Sequence, residues 1–116
     1  MRRTILSLTA AAAVAGIAAT GAWAHSKSKT EPEDGATVET LSEVVMRFDR
    51  PMRVTLVRLT RGGEPVEVER NVGMVPVTEF VATPASGEPG AYTVEWRGLS
   101  ADGHPMNGTF SFTVAE

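Results

Sequence analysis

Tyr92-Thr93-Val94-Glu95-Trp96-Arg97-Gly98-Leu99-Ser100-Ala101-Asp102-Gly103-His104-Pro105-Met106-Asn107-Gly108-Thr109-Phe110-Ser111-Phe112-Thr113-Val114 is the stretch that decides the fold. Tyr92, Val94 and Trp96 alternate with Thr93, Glu95 and Arg97, and Phe110, Phe112 and Val114 alternate with Thr109, Ser111 and Thr113. A period of two is the pattern of a strand with one buried face. Two aromatic strands are therefore predicted, flanking a loop from Ser100 to Pro105. That loop carries a carboxylate and an imidazole two residues apart, Asp102 and His104, with Gly103 between them. In an extended backbone, positions i and i+2 project to one side, so the pair is expected to aim at one point. An oxygen donor beside a nitrogen donor suits a first-row divalent metal. A solvated polar turn is the plain alternative.

Working towards the amino terminus, the same alternation recurs in short segments. Residues 25–30 are polar and fit an edge strand, and Pro32-Glu33-Asp34-Gly35 is a turn cluster. Val44, Met46 and Phe48 alternate with Val45 and Arg47, and Pro51 is expected to end or offset that strand. Residues 54–59 form the next strand, and Arg61-Gly62-Gly63-Glu64 turns it into Val66-Glu67-Val68-Glu69. Residues 71–76 read as irregular, residues 78–81 as a short strand, and Gly87-Glu88-Pro89-Gly90 as a turn. No helical period interrupts this series. The expected class is all-β, a small Greek-key β-sandwich or barrel of cupredoxin-like or immunoglobulin-like form. Tyr92, opening its strand just after a turn, fits the tyrosine corner of such sandwiches.

Residues 1–24 read as a signal peptide rather than as part of the fold. Met1-Arg2-Arg3 is basic, Ile5 to Ala19 is apolar and uncharged, and Ala22-Trp23-Ala24 is an A-x-A cleavage site. Cleavage after Ala24 leaves residues 25–116 as a single domain of about 92 residues, enough for one core. It also makes His25 the mature amino terminus. An amino-terminal histidine offers two donors, its free α-amine and its ring Nδ1. With Asp102 and His104 the set becomes three nitrogens and one oxygen, the tetragonal mixture that Cu(II) prefers. His25 and His104 are the only histidines in the chain.

The formal charge of −3 becomes −5 once Arg2 and Arg3 leave with the leader, which removes no acid. That balance argues against nucleic acid and supplies no basic patch for anionic lipid. The chain has no cysteine, so an exported domain must be held by its core, and by a metal if one is bound. The mature methionines, Met46, Met52, Met74 and Met106, are scattered with no M-x-M spacing. Met46 reads as core, and a thioether site for Cu(I) is not expected.

The mature chain resembles the CopC family of periplasmic copper-binding proteins over nearly its whole length. The resemblance is carried by His25, by Pro32-Glu33-Asp34-Gly35-Ala36-Thr37-Val38, and by Val45-Met46-Arg47-Phe48 with Pro51. It continues in Gly90-Ala91-Tyr92-Thr93-Val94-Glu95-Trp96-Arg97 and is most specific in Ser100-Ala101-Asp102-Gly103-His104-Pro105. It implies one Cu(II) per chain, bound by His25 through amine and ring, by Asp102 and by His104. It also implies a periplasmic role in copper homeostasis or resistance beside a CopD-type inner-membrane copper transporter. A monomer is expected. One departure stands out: where the family often has a glutamate after the strand phenylalanine, this chain has Asp49 and Arg50.

Three functions are open to such a chain. The leading one is a non-catalytic Cu(II) carrier or scavenger. A histidine-brace copper oxidase or monooxygenase is the second, although a domain this small offers little substrate surface and Asp102 would occupy a position that oxygen chemistry needs open. The third is an immunoglobulin-like interaction module without metal.

Overall fold

The computed structural model describes residues 28–116; the predicted leader and His25 lie outside the described residues. Within them the chain is all-β, with eight strands: β1 Ser28–Glu31, β2 Thr37–Val38, β3 Val44–Arg61, β4 Glu64–Val66, β5 Val68–Arg70, β6 Pro76–Pro84, β7 Gly90–Ser100 and β8 Pro105–Val114. The hydrogen-bonded order is β2-β8-β7-β3-β6-β5, with β1 and β4 each added to β3. All ladders are antiparallel except the short one between β2 and β8.

Alternation along the four long strands builds one core. Val44, Met46, Phe48, Met52, Val54 and Leu59 of β3 meet Phe80 and Ala82 of β6, Tyr92, Val94 and Trp96 of β7, and Phe110, Phe112 and Val114 of β8. No polar or charged residue is buried among the described residues, so the core carries no desolvated charge. Tyr92 stacks on Phe112 with ring centroids 5.3 Å apart, and Phe48 meets Trp96 edge-on at 5.3 Å. The tyrosine corner is present: the Tyr92 hydroxyl donates to the carbonyl of Glu88, four residues upstream. Burial pushes that phenol above its ordinary pKa.

The two expected strands around Pro51 are one strand. β3 runs unbroken for 18 residues, and Pro51 offsets rather than ends it, through a register shift between Arg47 and Met52 in the ladder with β6. Proline lacks the N–H that a ladder needs, and the irregular segment accommodates it. The expected strand over residues 66–69 divides at Glu67. Its first part, β4, closes a hairpin on β3 through Gly62-Gly63, and its second part, β5, pairs with β6. β6 is longer than the expected residues 78–81, and β2 has no counterpart among the expected strands, since two residues are too few to show a period.

Gly108 faces Trp96 across the β7–β8 ladder. A Cβ at Gly108 would lie 2.7 Å from Trp96 Nε1 and 3.0 Å from Cε2, so the indole covers the glycine backbone. Gly108→Ala is expected to destabilise the domain by about 1–3 kcal/mol, the usual cost of overpacking a filled site. Denaturant unfolding measures this, and an unchanged midpoint would show that the indole moves aside freely.

Candidate metal centre

The centre is built on the β7–β8 hairpin. Ser100 ends β7 and Pro105 opens β8, and Leu99 pairs with Pro105. Between them the Ser100 N–H donates to the His104 carbonyl at 2.9 Å, and the Gly103 N–H donates to the Ser100 carbonyl at 2.8 Å. This is a three-residue hairpin connection, a tight turn closed by a left-handed residue. Gly103 takes that place with φ of 88°. Asp102 and His104 therefore converge because the chain turns between them. An extended backbone, expected from their spacing, is not what brings them together.

Asp102 Oδ2 and His104 Nδ1 lie 2.9 Å apart, and the Ser100 hydroxyl donates to Asp102 Oδ1. The Asp102 carboxyl is held well below the usual carboxylate range, first by the Ser100 hydroxyl and then by His104. Its hydrogen bond and charge in turn raise the His104 imidazole above its ordinary value. Both side chains are about 70% exposed, so a metal ion reaches them without any opening of the fold. Their chemistry fits a first-row divalent ion: one anionic oxygen ligand with lone pairs left over, and one imidazole nitrogen facing solvent. Among the described residues no further His, Cys, Asp or Glu joins this pair to make a group of three.

Gly103 has open space around its missing side chain but a backbone that L-residues rarely adopt. Gly103→Ala is expected to cost about 1–2 kcal/mol in left-handed strain and to weaken metal binding by displacing Asp102 from His104. Parallel thermal and metal titrations check both effects, and a variant with normal stability and normal binding would remove the role given to the turn.

β1 and β7 share one edge of β3. β6 occupies the opposite edge both at Val44–Arg47 and at Met52–Arg53, while β1 pairs with Val45–Phe48 and β7 pairs with β3 from Met52 onward. Ser28 sits opposite Phe48, and Ser100 sits opposite Met52. The amino-terminal end of β1 and the carboxy-terminal end of β7 thus face each other across Asp49, Arg50 and Pro51. Asp49 and Arg50 are both exposed there. Of the methionines, Met46 and Met52 are core residues, Met106 is half-buried beside the core, and Met74 is exposed. Ser100 is a member of the centre that its residue type alone does not reveal. Its signal is the spacing Ser-x-Asp, in which a hydroxyl and a carboxylate cap one tight turn.

A family model for the CopC domain matches residues 28–115. The chain belongs to the CopC family. Among solved structures it is similar to PcoC, a methionine-rich copper resistance protein from Escherichia coli, at 27% identity and a TM-score of 0.64, over 78% of this chain and 99% of that one. Its fold is also that of CopC from Methylosinus trichosporium OB3b, at 24% identity and a TM-score of 0.67, over 78% of this chain and 94% of that one. The comparison with curated proteins returns no match.

Proposed function

We propose that this chain is a periplasmic Cu(II)-binding protein of copper homeostasis and resistance, holding one ion through His25, Asp102 and His104 and acting as a carrier or scavenger without catalysis. The observation that supports the reading best is the shared edge of β3. His25 lies three residues before Ser28, and three residues reach at most about 10 Å. In the ladder with β6, Arg47 and Met52 stand opposite Glu79 and Val77, only two residues apart and so about 7 Å along the strand, a gap that such a reach covers towards the turn that carries Asp102 and His104. Membership of the CopC family, and likeness to a protein described as a copper resistance protein, point to the same cargo.

In this reading the amine and ring of His25 form a chelate on the ion. His104 adds a third nitrogen, and Asp102 adds a negative oxygen that offsets charge. A CopD-type membrane transporter is the partner that would exchange copper with it. Cu(II) titration of the monomer beginning at His25 tests the reading against the same protein extended by one residue. The extension turns the amine into an amide and removes the chelate. Binding is then expected to weaken about a hundredfold or more, the usual scale of a lost intramolecular second contact. Equal affinity in the two forms would sink the chelate. No binding by either would leave an interaction module.

A further inference from the structure

Four strands contribute one outward-facing row beside the turn that joins β7 to β8. Arg53 of β3 stands opposite Pro76 of β6 and Leu99 of β7, and Leu99 stands opposite Pro105 of β8. Residues paired across a ladder share a face, and all four are exposed. Three strand spacings make the row about 14 Å long. Met74 and Val75 precede Pro76 at one end of it, and the Arg53 guanidinium donates to the Met74 carbonyl at 3.0 Å. Pro105 follows His104 directly at the other end. Among the described residues, the large apolar side chains that stay exposed are Met74, Val75 and Leu99, and all three belong to this strip. Exposed apolar residues scattered singly are ordinary, whereas their convergence on one strip marks a contact surface.

A shallow groove runs along the same face, lined by Thr55, Arg97, Leu99, Pro105 and Asn107. Glu95 also lines it but is already paired with Arg58. Arg47 and Arg61 have glutamate partners too, but no carboxylate among the described residues pairs with Arg53 or Arg97. The domain as a whole is acidic, with the chain's −3 becoming −5 without Arg2 and Arg3. An acidic partner is therefore repelled by most of the surface and drawn to this strip. Two arginines are fewer than the cluster of about four to eight basic residues that holds a protein to anionic lipid, so the chemistry favours a protein. We propose that Met74, Val75, Leu99 and Pro105, with Arg53 and Arg97, form a docking surface for a protein segment that presents carboxylates beside apolar side chains. A partner seated there ends against the turn that carries Asp102 and His104. The inference rests on the copper reading for its purpose, transfer of the ion across the contact, but the contact itself is testable without metal. So small a strip fits a transient encounter rather than a permanent complex.

The probe is a capped peptide of glutamates around two leucines, added to the metal-free, 15N-labelled protein beginning at His25. Control peptides carry lysine in place of glutamate, or serine in place of leucine. Amide shifts are expected at Arg53, Met74, Val75 and Leu99 with the first peptide, and binding about tenfold weaker or worse with either control. Arg53→Glu combined with Arg97→Glu is expected to reverse the preference towards the lysine peptide. Leu99→Ser is expected to weaken binding of the glutamate peptide by about tenfold. The three substituted residues are exposed, so both variants should fold and bind Cu(II) as the wild type does. Equal binding of all three peptides, shifts confined to another face, or no binding overturns the proposal. Binding to phosphatidylglycerol vesicles that the double variant loses, with no peptide bound, also overturns it and makes the strip a membrane contact. Self-association that Leu99→Ser abolishes overturns it in favour of a second copy of this chain. If the glutamate peptide binds the strip but the wild type takes up no Cu(II), the docking surface stands and the copper reading falls. If Cu(II) binds and the peptide does not, the reverse holds.

Discussion

Apparent Cu(II) affinity is expected to fall by about five decades, roughly 7 kcal/mol, between about pH 7 and about pH 5. The size follows from the protons that the ion must expel from its ligands. An α-amine with an ordinary value of about 7.7–8.0 contributes about two decades, and an unperturbed imidazole near 6.5 contributes somewhat over one. His104 contributes more than an unperturbed ring, because Asp102 raises its value and the proton persists to higher pH. Asp102 contributes almost nothing, since it stays ionised throughout that window. The metal-free fold responds with the opposite sign. A raised imidazole value means that the His104–Asp102 pair stabilises the metal-free fold below the unfolded value of about 6.5. That contribution is lost as pH rises through the folded value. Competition titrations at several pH values, corrected for protonation of the competitor, measure the slope. A fall of only about one decade would mean that the two histidines are not both ligands.

Phe80→Ala is the substitution expected to damage the fold most, by about 3–5 kcal/mol. Phe80 is fully buried at 0% exposure, and the Arg70 guanidinium lies 4.9 Å from its ring centroid. Arg70 also donates to the carbonyls of Val54, Val72 and Gly73, so the ring supports the group that ties the segment after β5 to β3. Domains of this size are stable by about 5–15 kcal/mol in total, and no cysteine is present to add a disulfide. The variant is therefore expected to be partly unfolded near 37 °C. Cu(II) held at about a hundred times its dissociation constant would return about 2.7 kcal/mol. Urea unfolding with and without Cu(II) checks both halves. A loss below about 1 kcal/mol would mean that the site collapses around the missing ring.

The parts of this molecule that repeat with a short period are legible in its sequence. Tyr92, Val94, Trp96, Phe110, Phe112 and Val114 announce β7 and β8, and all are buried. The tyrosine corner is legible because one residue type performs it from one place. The continuity of β3 through Pro51 is not legible. Whether a proline stops a strand or sits in an irregular segment depends on the neighbouring strand, here β6. The division at Glu67 is hidden for the same reason, since Val66 and Val68 share one face while their strands pair with different partners. In the candidate centre, Asp102 and His104 are visible as residue types, but the turn that joins them follows from the backbone of Gly103. The shared edge of β3, which brings β1 and β7 end to end, is a property of pairing. No local pattern encodes it.

That shared edge also sets a clock. Met52 and Ser100 meet across 48 positions of chain, and the proposed donors His25 and Asp102 are 77 positions apart. Sheets assembled from such distant pairs form slowly, on the scale of milliseconds to seconds. Until the β3–β7 ladder closes, Asp102 and His104 are an isolated pair on a flexible chain. Metal capture in a refolding experiment should therefore lag the mixing dead time and follow the rate at which the ladder forms. A chain that has not finished folding would let its copper pass by.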